Sequence, residues 1–283
     1  MMSIQIHPTA IVAEGAQLAE GVCVGAYSII GPHVILKENV KIHSHAVIEG
    51  HTTLGARTEI FPFAVLGLAP QNINYKGEPS HIEIGERCII REHVTIHPGT
   101  EKGGMKTTIG NNCLIMVSSH VAHDCHVGDS VIMANNATLG GHVTVGDYAI
   151  IGGLAAIHQF VRIGSYAMIS GTAGVSEDVM PYGSVVAIKA KLGGLNIVGM
   201  KRRGFNRQDI HDLRNAYKLL AKDQTGTLGE RLQKIRVLYG NCRTVQDLLA
   251  FIDQDPKRPL CLPAEGWKFE QEEAEETPRA TAA

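Results

Sequence analysis

Residues 109–175 read IGNNCLIMVSSHVAHDCHVGDSVIMANNATLGGHVTVGDYAIIGGLAAIHQFVRIGSYAMISGTAGV. An aliphatic side chain returns at every sixth position: Ile109, Ile115, Val121, Val127, Met133, Leu139, Val145, Ile151, Ile157, Ile163, Ile169 and Val175. A helix needs a period near 3.6 and a simple strand a period of 2, so a period of six fits neither. It fits a solenoid of short strands joined by turns. Three hexads then close one triangular coil, and residues eighteen apart stack at about the 4.8 Å inter-strand spacing.

The same beat runs from Ile6 through Val12, Leu18, Val24, Ile30, Leu36, Ile42, Ile48, Leu54 and Ile60 to Leu66, and again at Ile84, Ile90 and Ile96. Four places after each aliphatic residue the side chain is nearly always small or β-branched, as at Ala10, Ala46, Cys113 and Ala137, and a glycine often follows the aliphatic residue directly (Gly25, Gly55, Gly110, Gly128). One large and one small side chain per hexad therefore fill a narrow interior, with the glycines expected to serve the turns. Two stretches, 67–83 and 97–108, are rich in Gly, Pro and polar residues and read as loops leaving the coil. Beyond Val175 the hexads fade. A helical stripe of Ile210, Leu213, Tyr217 and Leu220 follows an Asn206 cap, with further helices at about 227–239 and 244–254, the last opening on Thr244 and Asp247. The expected organisation is a mainly β solenoid over 1–187, a small α-helical domain over 188–264, and an acidic, disordered tail over 265–283.

Among 283 residues, 26 Lys and Arg against 28 Asp and Glu leave a formal charge of −2, so nothing global argues for nucleic acid or a membrane surface and any charged partner must be met by a local patch. No apolar run approaches the roughly 20 residues of a membrane span, and no basic leader precedes an apolar stretch, so a cytoplasmic protein is expected. The six cysteines form no CxxC pair and suit reduced, structural thiols.

Histidines gather in the second half of the solenoid: His120, His123, His126, His142 and His158. Steps of eighteen put His123, Gly141 and Gln159 in one column, with His142 and His158 beside it. A base, a backbone N–H without a side chain and an amide are thereby brought together, as proton abstraction from an alcohol and stabilisation of a thioester-derived oxyanion require. Histidine suits the first task because its ordinary pKa is near 6.5. Surface histidines on a solenoid face are the plainer alternative, and His126 is assigned to it. A zinc site on the HxxHxxH spacing of His120, His123 and His126 is a further one, opposed by the alternation of strand side chains.

HPTAIV, GEP, IREHVTIH, HVAHDC, ANNATLGGHV, IIGGLAAIHQF and NIVGMKRRGF occur in this order. Over about residues 6–222 the chain resembles the UDP-N-acetylglucosamine O-acyltransferases, the family that begins lipid A biosynthesis. The resemblance implies a left-handed parallel β-helix, a homotrimer with clefts between neighbouring solenoids, no cofactor and no metal. It implies transfer of a 3-hydroxyacyl chain from acyl carrier protein to the 3-hydroxyl of UDP-N-acetylglucosamine. His123 would be the general base, Asp124 the carboxylate that orients it, and Gly141 N–H the oxyanion donor. His120, His142 and Gln159 would line the cleft, with His158 and Gly171 near the end of the acyl channel. Gln71, Asn72, Asn196, Arg202 and Arg203 would meet the nucleotide sugar, the basic segment also receiving acyl carrier protein.

Adjacent strand residues point apart, so a His123–Asp124 pair needs a turn between them. The family loop commonly reads QDLKYxGEP, whereas this chain has QNINYKGEP, placing Asn72 and Asn74 where an Asp and a Lys are usual. Val198 likewise replaces an acidic residue. A 3-hydroxy or a 3-amino sugar, and the acyl length, stay open on this reading.

Overall fold

A computed structural model describes residues 3–186, 190–221, 226–255 and 258–263. The expected acidic tail and the boundary at 187/188 lie outside the described residues.

Each hexad ends in a strand of two or four residues whose last member is the periodic aliphatic residue, buried from Val24 onward. The strands sort into three sheets of eleven, nine and eight strands, one along each wall of a triangular prism, and the whole is a left-handed parallel β-helix. Partners stand eighteen residues apart, as in Gln5 with Cys23 and Thr138 with Ala156. Backbone amides therefore bond along the axis, and Leu36, Leu54, Ile84 and Ile109 stack through the interior of one wall.

The two loops lengthen this register. Glu59 pairs with Ile89 across the first and Thr95 with His120 across the second, separations of 30 and 25 residues. Both loops are shorter than expected. His81–Ile84 and Lys106–Ile109 are strands, because alternation buries Ile82 and Thr107 with the aliphatic residues while His81 and Lys106 face outward.

The turns also differ from expectation. Left-handed corners fall on non-glycine residues such as Asn112, Asp124, His142 and Phe160, with φ of 57–67°. Such a corner costs an L-residue about 1–2 kcal/mol. The glycines that directly follow an aliphatic residue serve close approach instead: a Cβ on Gly110 would stand 2.6 Å from the carbonyl carbon of Gly128 in the next coil.

After the last coil, Lys191–Leu195 returns antiparallel to Gly183–Val186, a strand inside the segment expected to be helical. Four helices follow: α1 (Ile197–Arg202), α2 (Arg207–Ala221), α3 (Leu228–Tyr239) and α4 (Arg243–Gln254). Asn206 caps α2 through the amide of Asp209, and Thr227 and Glu230 form a capping box on α3. α4 starts at Arg243 with Cys242 before it, and the Thr244 hydroxyl bonds the Asp209 carbonyl instead of capping. Tyr182 donates to Asp247, and Arg162 donates to the Phe251 carbonyl at 3.2 Å, fixing α4 to the last coils. No helix among the described residues is long and apolar enough to cross a membrane.

Candidate active site

Asp124 occupies one of the left-handed corners, with φ of 60°. That backbone rotation brings two neighbouring side chains together where a strand would send them apart. His123 Nδ1 donates to Asp124 Oδ2 at 2.7 Å, the imidazole 13% exposed and the carboxylate fully buried. With Nδ1 as donor, Nε2 keeps its lone pair. A buried carboxylate needs donors on its remaining lone pairs. Thr100 supplies two: its amide to Oδ1 at 2.7 Å and its hydroxyl to Oδ2 at 2.6 Å. The Asp124 amide in turn donates to Thr107 Oγ1 at 2.9 Å.

The column expected from the register is present. His142 N donates to the His123 carbonyl and Phe160 N to the Gly141 carbonyl, at 3.0 and 2.9 Å. Gly141 lies beneath the imidazole, where a Cβ would be 2.6 Å from His123 Cε1. His142 stands edge-on to His123, stacks on Phe160 at 4.4 Å, and has Nε2 3.7 Å from Asp124 Oδ2. Burial lowers its pKa against the opposing pull of Asp124. His120 shares a 2.7 Å hydrogen bond with Thr95 Oγ1 and meets His97 edge-on. Burial, with His97 and His123 nearby, pushes its pKa down to about 4, so it is neutral at pH 7.

From the first loop, the Asn72 amide nitrogen reaches within 3.3 Å of His123 Nε2, whereas Gln71 is exposed. His158, Gln159 and Gly171 are exposed further along the prism, His158 Nδ1 bonding the Gln159 carbonyl at 3.1 Å. Three residues sit elsewhere. Asn196 caps α1 through Gly199 N and ties it to the Tyr166 carbonyl, and Arg203 lies 4.5 Å over the Tyr148 ring with Arg202 exposed beside it. Tyr148 and Tyr166 form a different corner column from His142 and Phe160, so one chain does not join Arg202 and Arg203 to His123.

The HxxHxxH set does not converge. His126 is exposed and bonded to Thr108 on one wall, and His120 is bonded to Thr95 on another. The ligand atoms that do converge, within 4.8 Å, belong to His123, Asp124 and His142. His123 Nδ1 and both Asp124 carboxylate oxygens are engaged in hydrogen bonds with one another or with Thr100.

Thr100, Gly103, His97 and Phe160 are site residues that the sequence reading missed. Thr100 and Gly103 lie in a loop of changed register, which eighteen-residue arithmetic cannot place. Phe160 is eighteen residues from His142, and that arithmetic reaches it.

Family models for "Udp N-acetylglucosamine O-acyltransferase; Domain 2" match residues 178–261 and for bacterial transferase hexapeptide repeats match residues 106–141. An acyl-[acyl-carrier-protein]–UDP-N-acetylglucosamine O-acyltransferase of Azorhizobium caulinodans is 52% identical over 261 residues, covering 92% of this chain and 96% of its own. The namesake of Caulobacter vibrioides is 53% identical over 260 residues, covering 92% and 98%. Among solved structures, LpxA from Acinetobacter baumannii superposes with a TM-score of 0.87 at 41% identity, over 90% of this chain and 98% of that one.

Proposed function

The chain belongs to the UDP-N-acetylglucosamine O-acyltransferase family, and from that premise we propose that it carries a 3-hydroxyacyl group from acyl carrier protein to the 3-hydroxyl of UDP-N-acetylglucosamine, the first step of lipid A biosynthesis in the cytoplasm. The observation that carries the mechanism is the His123–Asp124 pair seated over Gly141.

His123 Nε2 takes the proton of the sugar 3-hydroxyl as its oxygen attacks the thioester carbon. Asp124 stabilises the imidazolium that forms and holds the ring in the tautomer that leaves Nε2 free. Charge builds on the thioester oxygen, for which Gly141 N–H is the donor. Collapse breaks the C–S bond, and the pantetheine sulfur leaves with the proton held at Nε2. Neutral His120, together with His142 and Gln159, lines the cleft, while His158 and Gly171 border the acyl chain. Asn72 contacts Nε2 in the free chain, so the acceptor hydroxyl takes the place of its amide, and Gln71 lies next to it on the same loop. Arg202 and Arg203, on another corner, complete the cleft from the neighbouring subunit of a homotrimer, where guanidinium groups suit phosphate and an acidic carrier protein. Asn196 acts there through the helix it caps.

The test is transfer of 3-hydroxymyristoyl from acyl carrier protein to UDP-N-acetylglucosamine by the purified protein and by His123→Ala at matched folding. Turnover is expected in the parent, unaffected by exhaustive chelation, with a loss of about 10²–10⁴-fold in the variant. Equal turnover in the two would overturn the base assignment, and none in the parent would overturn this donor and acceptor pair.

A further inference from the structure

The second loop makes the closest engagement of any insertion with the site, through Thr100. This residue is the N-cap of a short 3₁₀ turn, Glu101–Gly103, a position where a threonine hydroxyl ordinarily accepts from the amides of its own turn. Here the hydroxyl makes no such bond. It is turned instead to Asp124 Oδ2, the oxygen that also accepts from His123 Nδ1, while the Thr100 amide holds Oδ1. Both oxygens are thus pinned by one residue that is itself buried, which fixes the plane of the carboxylate. A rotation of that plane would carry Oδ2 away from the imidazole. The turn closes at Gly103, where a Cβ would stand 2.0 Å from Asp124 Cγ, so the backbone lies directly against the carboxylate. Thr100 O accepts from both Gly103 N and Met105 N, at 3.0 and 2.9 Å, which holds the turn to the residue that grips Asp124.

We infer that Thr100 is a positioning residue for the acyl transfer, with the 97–105 insertion serving as a clasp that sets the Asp124 carboxylate and, through it, the His123 imidazole. The inference rests on the general-base reading above. Thr100 touches neither reacting atom; its effect passes through two hydrogen bonds to the base. A misplacement near 1 Å at a catalytic group can lower a rate about a hundredfold.

The experiment compares Thr100→Val, Thr100→Ser and Gly103→Ala, each assayed for kcat and for KM of both substrates after correction for folded fraction. Thr100→Val keeps shape and the amide but deletes the hydroxyl donor. It is expected to lower kcat about ten- to a hundredfold with both KM values unchanged. Thr100→Ser restores the donor and should recover kcat to within a few-fold of the parent. Gly103→Ala should lower kcat by pushing the clasp off Asp124, and it decides the matter if Thr100→Val does not fold. The far-downfield proton resonance of His123 Nδ1–H, assigned by its absence in His123→Ala, should broaden or disappear in step with kcat. A purely structural Thr100 would instead change stability while leaving the folded enzyme's kcat and that resonance as in the parent, and this result overturns the inference. A loss that serine fails to restore, or one confined to KM, also overturns it. If His123→Ala is inactive while Thr100→Val and Gly103→Ala turn over like the parent, the clasp alone falls and the base stands; an active His123→Ala removes the reading beneath both.

Discussion

The imidazole of His123 lies against Gly141, close enough that a Cβ at 141 would stand 2.6 Å from Cε1 and 2.8 Å from Nε2. The φ of Gly141 is outside the left-handed region, so space and not backbone freedom demands a glycine there. Gly141→Ala should therefore fold and keep its backbone amide, yet push the ring off its station. A kcat loss of about a hundredfold is expected from that displacement, with a thermal midpoint within a few degrees of the parent. Activity within twofold of the parent would mean that the position of the ring over 141 has no part in the chemistry.

Gly171 is a different kind of glycine. Its φ is also ordinary, and the nearest atoms to a Cβ there are backbone atoms of Gly153, the first at 3.0 Å, with no side chain within 4 Å. Turn geometry does not demand a glycine there; close approach to the Gly153 carbonyl favours one, and the residue itself is exposed. Gly171→Met should shift preference toward shorter 3-hydroxyacyl donors, changing the ratio of kcat/KM between long and short chains by about tenfold or more. Donors of graded length provide the measurement, and an unchanged profile removes Gly171 from the acyl channel.

Arg202 and His123 lie on separate corners of one chain, which makes the subunit arrangement testable without a structure of the assembly. Arg202 is exposed in the last turn of α1, where its loss to the helix dipole is about 0.3–1 kcal/mol. Arg202→Glu should raise KM for both substrates while leaving folding almost intact. Mixing Arg202→Glu with His123→Ala subunits after dissociation should then regenerate activity, since about a quarter of clefts formed by random association between neighbouring chains carry both parent residues. No recovery in refolded mixtures would mean that Arg202 has no part in a cleft with a neighbouring chain's His123.

Legibility in the sequence followed the physics of repetition. A solenoid gives each inward side chain the same surroundings, so the aliphatic beat from Ile109 to Val175 is unmasked, and addition alone finds the stack of His123 on Gly141. The family resemblance, carried by HVAHDC, GGHV and KRRGF, agrees with the relatives that the chain matches. The corner that pairs His123 with Asp124 belongs to the same beat: left-handed corners recur every sixth residue from Asn112 to Thr172, though their handedness on non-glycine residues is not legible in the aliphatic pattern. What stayed hidden is where repetition breaks. Thr100 belongs to an insertion that changes the register to 25 residues, beyond the reach of the column arithmetic. The Lys191–Leu195 strand carries two glycines and falls in the segment expected to be helical, yet a neighbouring strand edge recruits it. Tertiary contact, not local preference, settled each of these.

His120 links the site to stability. Its folded pKa is pushed down to about 4, first by burial and then by His97 and His123, whereas in the unfolded chain it titrates near 6.5. Between those values the unfolded chain binds the extra proton and the folded one does not, so acid favours unfolding. The stability that follows from keeping His120 neutral is complete above pH 6.5 and is lost progressively as pH falls toward 4. The thermal midpoint should accordingly drop through this window. His120→Gln, which retains a polar group facing Thr95 Oγ1 but does not titrate, should show a shallower decline than the parent and a lower midpoint at pH 7.5. Unfolding followed at steps from pH 7.5 to 4 measures both slopes. Parallel curves would show that His120 takes up its proton in the folded protein as readily as in the unfolded chain, and would leave the acid sensitivity to other groups.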